Sequence, residues 1–262
     1  MSEEILVRVE GNVGFLELNR PDKFNCISKA LVKCLNDGMD ALETNPQVRA
    51  VVVHGAGKVF CTGADLKEIL ETRKDEGELH QLLDDLFRAL RRFETSPLPV
   101  IAAVHGLALA GGLEIVMACD IVFAAKSAKL GDQHSQYGLI PGGGNSQRLA
   151  RVLGRRRALD LMFSAKWLTA DDSLDWGLVN YVVDDDTLLS AASEYAAKLA
   201  SRSSSGLAMI KQMTDEGLDL ALPEGLALEV RLAVEGLRTA DADEGLNAFQ
   251  ERRTPAFAQR EV

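Results

Sequence analysis

Cysteine is scarce and scattered in this chain of 262 residues: Cys26, Cys34, Cys61 and Cys119 form no Cys-x-x-Cys pair and have no histidine at metal-ligand spacing. A disulfide framework and a metal site are therefore not expected, and reduced thiols in a cytoplasmic setting are. Positive charge is in deficit, with Lys+Arg 29 against Asp+Glu 39 and a formal net charge of −10. This argues against a nucleic-acid binder and against a polybasic membrane anchor. Long apolar runs are missing too. The stretch "PVIAAVHGLALAGG" is broken by glycine and far too short to span a bilayer, and the acidic start "MSEEILVRVEG" lacks the apolar core of a secretory signal. No G-x-G-x-x-G fingerprint, Walker A lysine or G-x-S-x-G elbow occurs, which disfavours dinucleotide binding, nucleotide hydrolysis and a Ser-His-Asp hydrolase.

What is present is a chain that is 47% hydrophobic, enough for a substantial core. "ILVRVEGNVGFLELNRP" reads as two alternating runs around Gly11–Asn12, a β-hairpin signal. Ser28 then precedes apolar positions Leu31, Cys34, Leu35, Met39 and Leu42 at helical spacing. "VRAVVVHG" and "LPVIAAVHG" are nearly continuous apolar strands of the kind buried on both faces, with the helical stretch "LHQLLDDLFRALRRFETS" between them. Strand and helix keep alternating to "GLVNYVV", which predicts crossover connections and a mainly parallel α/β sheet. From Leu188 to about Gln250 only helical periodicity remains. The expected division is an α/β core over residues 1–200 and a helical tail over residues 201–262, the tail packing on a partner subunit.

Two strand ends carry glycine turns that open helices: "VFCTGADLKE" (59–68) and "HGLALAGGLE" (105–114). Glycines are ordinary punctuation there. Two helix starts facing one another would also offer free N–H groups to an oxyanion. Glu114, just after the second turn, suits two roles. It is either a helix N-terminal carboxylate stabilised by about 0.5 kcal/mol of macrodipole interaction, or a general acid–base.

The loop "LGDQHSQYGLIPGGG" (130–144) holds one of only four histidines, His134. An imidazole titrates near neutrality and can give or take a proton. Asp132 either orients that ring or caps the loop. Ser135, Gln136 and Tyr137 either line a polar pocket or simply form a turn. His54 and His105 end buried strands and read as satisfied structural residues.

The segments "LNRPDKFNCIS", "VFCTGADLKE", "VIAAVHGLALAGGLEIVMACD" and "GLIPGGGNSQRL", followed by "EGLNAFQERRTPAF" near the end, occur in the order seen in the crotonase, or enoyl-CoA hydratase/isomerase, superfamily, and the chain resembles it over nearly its whole length. The resemblance implies a crotonase-like spiral of repeated ββα units with a C-terminal helical trimerisation region, assembled as a homotrimer or a dimer of trimers. It implies an acyl-CoA substrate with coenzyme A as part of the thioester and no permanently bound cofactor. The backbone N–H groups of Ala64 and Gly111 would form the oxyanion hole and Glu114 would act as acid–base. Coenzyme A would lie against Lys23, Asp65 and Leu66, with Arg252 or Arg253 of a neighbouring subunit reaching its phosphates. Hydratases of the family carry a second glutamate where this chain has His134. Four readings stay open: a 2-enoyl-CoA hydratase, a double-bond isomerase using Glu114 alone, a hydrolase cleaving a C–C bond of a β-keto or cyclic diketone substrate with His134 as base, and a non-catalytic scaffold.

Overall fold

The N-terminal hairpin forms as the alternation predicts. In the computed structural model, which describes residues 4–260, β1 (Ile5–Glu10) pairs antiparallel with β2 (Val13–Leu18) across a turn in which Gly11 has φ +58°. Met1–Glu3 of the acidic start, and the last two residues of the tail, lie outside the described residues. β1 is an edge strand, and only its Ile5 is buried. Helix α1 (Lys29–Glu43) starts where Ser28 predicts, since the Ser28 hydroxyl accepts the Leu31 N–H at 2.9 Å. It buries Leu31, Val32, Leu35, Met39 and Leu42, whereas Cys34 is only half-buried.

The chain then repeats one motif. Strand β3 (Ala50–Gly55) leads through residues 61–64 to α2 (Leu66–Thr72) and α3 (Glu76–Thr95). Strand β4 (Val100–Val104) leads through β5 (Leu107–Leu109) to α4 (Gly111–Met117). Strand β6 (Ile121–Ala125) leads through β7 (Lys129–Gly131) to α5 (Asn145–Leu153). The strands β2, β3, β4 and β6 are mutually parallel neighbours in one sheet. The short segments stack beside one another as well: Ile27 bridges Ala64, Cys61 bridges Ala108, and β5 pairs parallel with β7. Each turn of the chain thus adds a strand to the sheet, a segment to the second stack, and a helix. This is the expected ββα spiral. After α6 (Arg155–Ser164), β8 (Leu168–Thr169) closes the second stack against β7. Helix α7 (Ala170–Trp176) leads to β9 (Tyr181–Val183), which completes the six-stranded sheet β1-β2-β3-β4-β6-β9.

Burial explains why β3 and β4 read as unbroken apolar runs. Val51, Val52, Val53, Ile101 and Ala102 have no solvent exposure. Helix α8 (Leu188–Ala200) packs across β2, β3, β4 and β6, so the helical periodicity that begins at Leu188 still belongs to the sheet's covering layer. Beyond it come α9 (Ser204–Leu218), α10 (Leu222–Gly236) and α11 (Ala240–Glu251). Lys211 of α9 ties this tail to the core, donating to Phe93 O at 2.6 Å and pairing with Asp120 at 2.8 Å. No helix among the described residues is long and apolar enough to cross a membrane, and no group of three or more potential metal ligands occurs among them.

Candidate active site

The second stack brings the two glycine turns into contact. A Cβ built on Gly111 would stand 3.6 Å from the Ala64 nitrogen, and one built on Gly63 would stand 3.3 Å from the Gly111 nitrogen. The two amides are therefore side by side. Their neighbours explain why both are available. Ile27 N donates to Gly63 O and Asp65 N donates to Ile27 O, so the bridge at Ala64 uses the residues flanking it and leaves its own N–H over. Gly111 is the first residue of α4, where helical N–H groups have no partner in the preceding turn. Ala110, just before it, has φ 49° and ψ −116°, a backbone conformation that costs a non-glycine residue about 1–3 kcal/mol. The strain is held by Ala110 N donating to Gly131 O (3.0 Å) and by Ala110 O accepting from Glu114 N (3.0 Å).

Glu114 lies one helical turn into α4 and is 2% exposed. Its carboxylate does not serve its own helix. Oε1 accepts from the backbone N–H of Gly143 (2.8 Å) and of Asn145 (3.3 Å), at the start of α5. A Cβ on Gly143 would meet Glu114 Oε2 at 2.5 Å, so a glycine there is what lets the carboxylate in. Arg148 fixes the same turn from outside. Its guanidinium donates to Gly143 O and forks onto Glu94 of α3.

His134 is linked to this carboxylate through Asp132 and Asn145, and the charges of the two groups interact. Its ring Nδ1 meets Asp132 Oδ1 at 2.9 Å, and its backbone N–H donates to the same oxygen at 3.1 Å. With Nδ1–H directed at Asp132, Nε2 is the nitrogen free to exchange a proton. Asp132 thus fills both roles that the sequence left open: it caps the loop and it orients the ring. Its other oxygen accepts from Asn145 Nδ2 at 2.8 Å. Ser135–Tyr137 form a 3₁₀ turn whose Ser135 hydroxyl donates to Met162 O at 2.6 Å, and Gln136 and Tyr137 are exposed. The turn reading holds for these three.

Burial sets the proton affinities. It pushes the Glu114 carboxyl up, and the charge of His134 and the two backbone donors only partly oppose it. For His134 burial acts downward, but the hydrogen bond to Asp132 and the charges of Asp132 and Glu114 outweigh it and raise the imidazole above its usual range. Burial would raise Asp132; the His134 contacts and Asn145 hold it below the usual carboxylate range instead. The outcome is an Asp132 held ionised against an imidazole of raised proton affinity, and a carboxyl group, Glu114, whose own proton affinity is raised by burial.

The remaining expected residues fall in two places. Lys23 ends an exposed 3₁₀ turn (Pro21–Lys23) that packs beside the Ala64 segment, where Thr62 N donates to Phe24 O at 3.2 Å. Asp65 caps α2 and pairs with Arg20 at 3.1 Å, while Leu66 is about half exposed beside it. These three lie on the amide side of the site. Arg252 is exposed at the end of α11, and Arg253 is paired with Glu244 and Glu251, so the structure does not bring either into the same cluster. Of the two strand-end histidines, His105 meets Gly57 O at 3.1 Å, but the buried His54 Nε2 has no partner among the described residues. The reading of His54 as satisfied therefore holds for its hydrogen bond with the Gly55 backbone and is corrected for Nε2. Residue-type reasoning missed Asn145, Arg148 and Glu94. "GGGNSQR" placed a polar residue at a helix start, but only the fold reveals that it is fully buried.

Comparison with known proteins bears on the whole chain. The profile of the enoyl-CoA hydratase/isomerase family matches residues 8–260. A probable enoyl-CoA hydratase of Rhizobium meliloti (strain 1021) is 37% identical over 258 residues, covering 98% of this chain and 99% of that protein. A short-chain-enoyl-CoA hydratase of Clostridium acetobutylicum is 36% identical over 250 residues, 95% of each. The crystal structure of an enoyl-CoA hydratase from Bacillus anthracis superposes with a TM-score of 0.92 at 35% identity, covering 97% of this chain and 98% of that one. With a ββα spiral, paired free amides and a buried glutamate already described, the chain belongs to the enoyl-CoA hydratase/isomerase family.

Proposed function

We propose that this chain is an enoyl-CoA hydratase that adds water to a 2-enoyl-CoA. The carrying observation is Glu114, pinned by two backbone amides and joined through Asn145 to the Asp132–His134 pair, with two unused N–H groups at Ala64 and Gly111. The thioester oxygen accepts from the two amides, which stabilise the charge that develops there. Glu114 takes a proton from water as its oxygen bonds to the β-carbon. The protonated His134 delivers a proton from Nε2 to the α-carbon, and Glu114 later returns its proton to the imidazole. One water is consumed and both groups are restored. Burial raises the proton affinity of Glu114 and Asp132 raises that of His134, which helps each to take up and hold the proton it moves.

A hydrolase reading is the second choice, because an aspartate–imidazole pair at 2.9 Å also suits a general base for C–C cleavage. Against it, the following turn, Pro141–Gly144, supplies no acid. Isomerisation by Glu114 alone leaves the Asp132–His134 pair without a task. A pure scaffold would gain nothing from the strained turn at Ala110.

Within this reading, coenzyme A lies along Lys23, Asp65 and Leu66, and Arg252 reaches its phosphates from a neighbouring subunit. The tail, residues 201–262, builds a homotrimer or a dimer of trimers. Exposed Leu222, Val230, Val234 and Phe249 on α10 and α11 support that role. Four free cysteines fit a cytoplasmic location. The test is purified protein with crotonyl-CoA and with longer and branched 2-enoyl-CoAs, followed by the conjugated-thioester absorbance and the product mass. Loss of absorbance with gain of one water supports the proposal. Conversion without water gain points to isomerisation, and coenzyme A ester binding with no turnover overturns it.

A further inference from the structure

We infer that Asn145 is a positioning residue that locks the Asp132–His134 pair, Glu114 and the strained oxyanion turn into one arrangement; this rests on the reading of that site as the hydration centre. The side chain is fully buried at the first position of α5. Its two amide hydrogens go to different parts of the site. One reaches Asp132 Oδ2 at 2.8 Å, and the other reaches Ala110 O at 3.3 Å, on the residue before the Gly111 amide. Its backbone N–H donates to Glu114 Oε1 at 3.3 Å. One residue therefore touches the Asp132–His134 pair, Glu114 and the amide turn.

Stability alone does not explain an asparagine here. With both hydrogens committed, its Oδ1 is buried without a donor among the described residues, an arrangement that is unfavourable in itself. An apolar residue of the same size would avoid that orphan but would leave Asp132 Oδ2 without its donor. The gain lies at Asp132. Its Oδ1 already takes both the ring and backbone N–H of His134, so Asn145 is the donor that occupies Oδ2. Removing it leaves a buried carboxylate oxygen unpaired. The carboxylate then becomes more basic, is free to rotate, and binds the imidazole proton more tightly.

The experiment compares wild type with Asn145→Leu and Asn145→Ala. The readouts are the ¹⁵N-histidine titration of His134, assigned with His134→Gln, and kcat and KM for crotonyl-CoA. Both variants should shift the His134 midpoint upward. Both should lower kcat about tenfold or more, with KM held within about threefold, because the Asp132–His134 alignment is lost while the Ala110 turn keeps its backbone bonds to Gly131 and Glu114. A packing role predicts instead that the near-isosteric Leu variant behaves as wild type. An unchanged His134 midpoint in the folded Leu variant overturns the inference. If neither variant folds, the wild type decides: the Asn145 side-chain NH₂ resonances must move with the His134 midpoint, and their failure to move overturns it. Should wild type hydrate no enoyl-CoA, the proposed function falls, while the histidine titration still tests Asn145.

Discussion

The two walls of the site are built from different materials. One wall, residues 61–64 and 107–112, is backbone. Its active groups are amides, and their positions follow from segment stacking and from approaches too close for side chains. A Cβ on Gly112 would fall 2.1 Å from Cys61 O. The other wall, residues 131–145 together with Glu114 of α4, is side chain. Its active groups are Asp132, His134 and Glu114, held by each other and by the start of α5. The first wall cannot change without changing the fold. The second can exchange one acid for another, and it is where this chain carries an imidazole. In the proposed function, binding of the thioester belongs to the first wall and choice of reaction to the second.

On that division, changes on the side-chain wall should remove rate and spare stability. The largest effect is expected for Glu114→Gln, about 10²–10⁴-fold in kcat, with no fall in melting temperature at neutral pH. Glu114 has a raised carboxyl pKa in the fold, so its contribution to stability is lost as pH rises through that value. The Gln variant should therefore equal or exceed wild type above neutrality. Thermal melts across pH check this, and a large loss at alkaline pH would break the comparison. His134→Gln should cost about 10²-fold in kcat. It should also flatten the stability profile on the alkaline side. The raised imidazole stabilises the fold fully below about pH 6.5 and loses that contribution as pH rises through its higher folded value.

The backbone wall should fail the other way. Gly112→Ala forces a methyl against the Cys61 carbonyl, which has no flexible end to give, and should destabilise by about 1–3 kcal/mol in chemical denaturation. An Ala variant with wild-type stability would show that the wall is softer than its contacts imply. The smallest effect sharpens the contrast from outside both walls. Lys126 pairs with Asp184 at 2.6 Å with both side chains largely exposed, and Lys126→Ala should leave both melting temperature and turnover unchanged.

The same division explains what could be read from the sequence. The hairpin, the Ser28 cap, the buried strands and the helical run from Leu188 depend on local periodicity and capping, which single segments carry. The backbone wall was legible for a related reason: glycines at strand ends mark where helices start and where chains approach closely. The side-chain wall was legible only in part. Glu114 and His134 were visible as residue types, but the partner of Glu114 is the start of another helix 29 positions away at Gly143. Asn145, buried by the spiral closing over it, looks in sequence like any polar helix start. Arg148 and Glu94 are 54 positions apart, and nothing local to either says that they clamp the same turn. His54 shows the opposite failure, since a strand-end pattern suggested a partner that its Nε2 lacks among the described residues.

The most direct test of the division between binding and chemistry measures both on the same proteins. Wild type, Glu114→Gln and His134→Gln should be titrated with a saturated acyl-CoA by calorimetry and assayed with crotonyl-CoA under identical conditions. The account predicts dissociation constants within about threefold of one another and turnover reduced about 10²-fold or more in both variants. Variants that turn over as wild type does, or that lose binding in step with turnover, would contradict it.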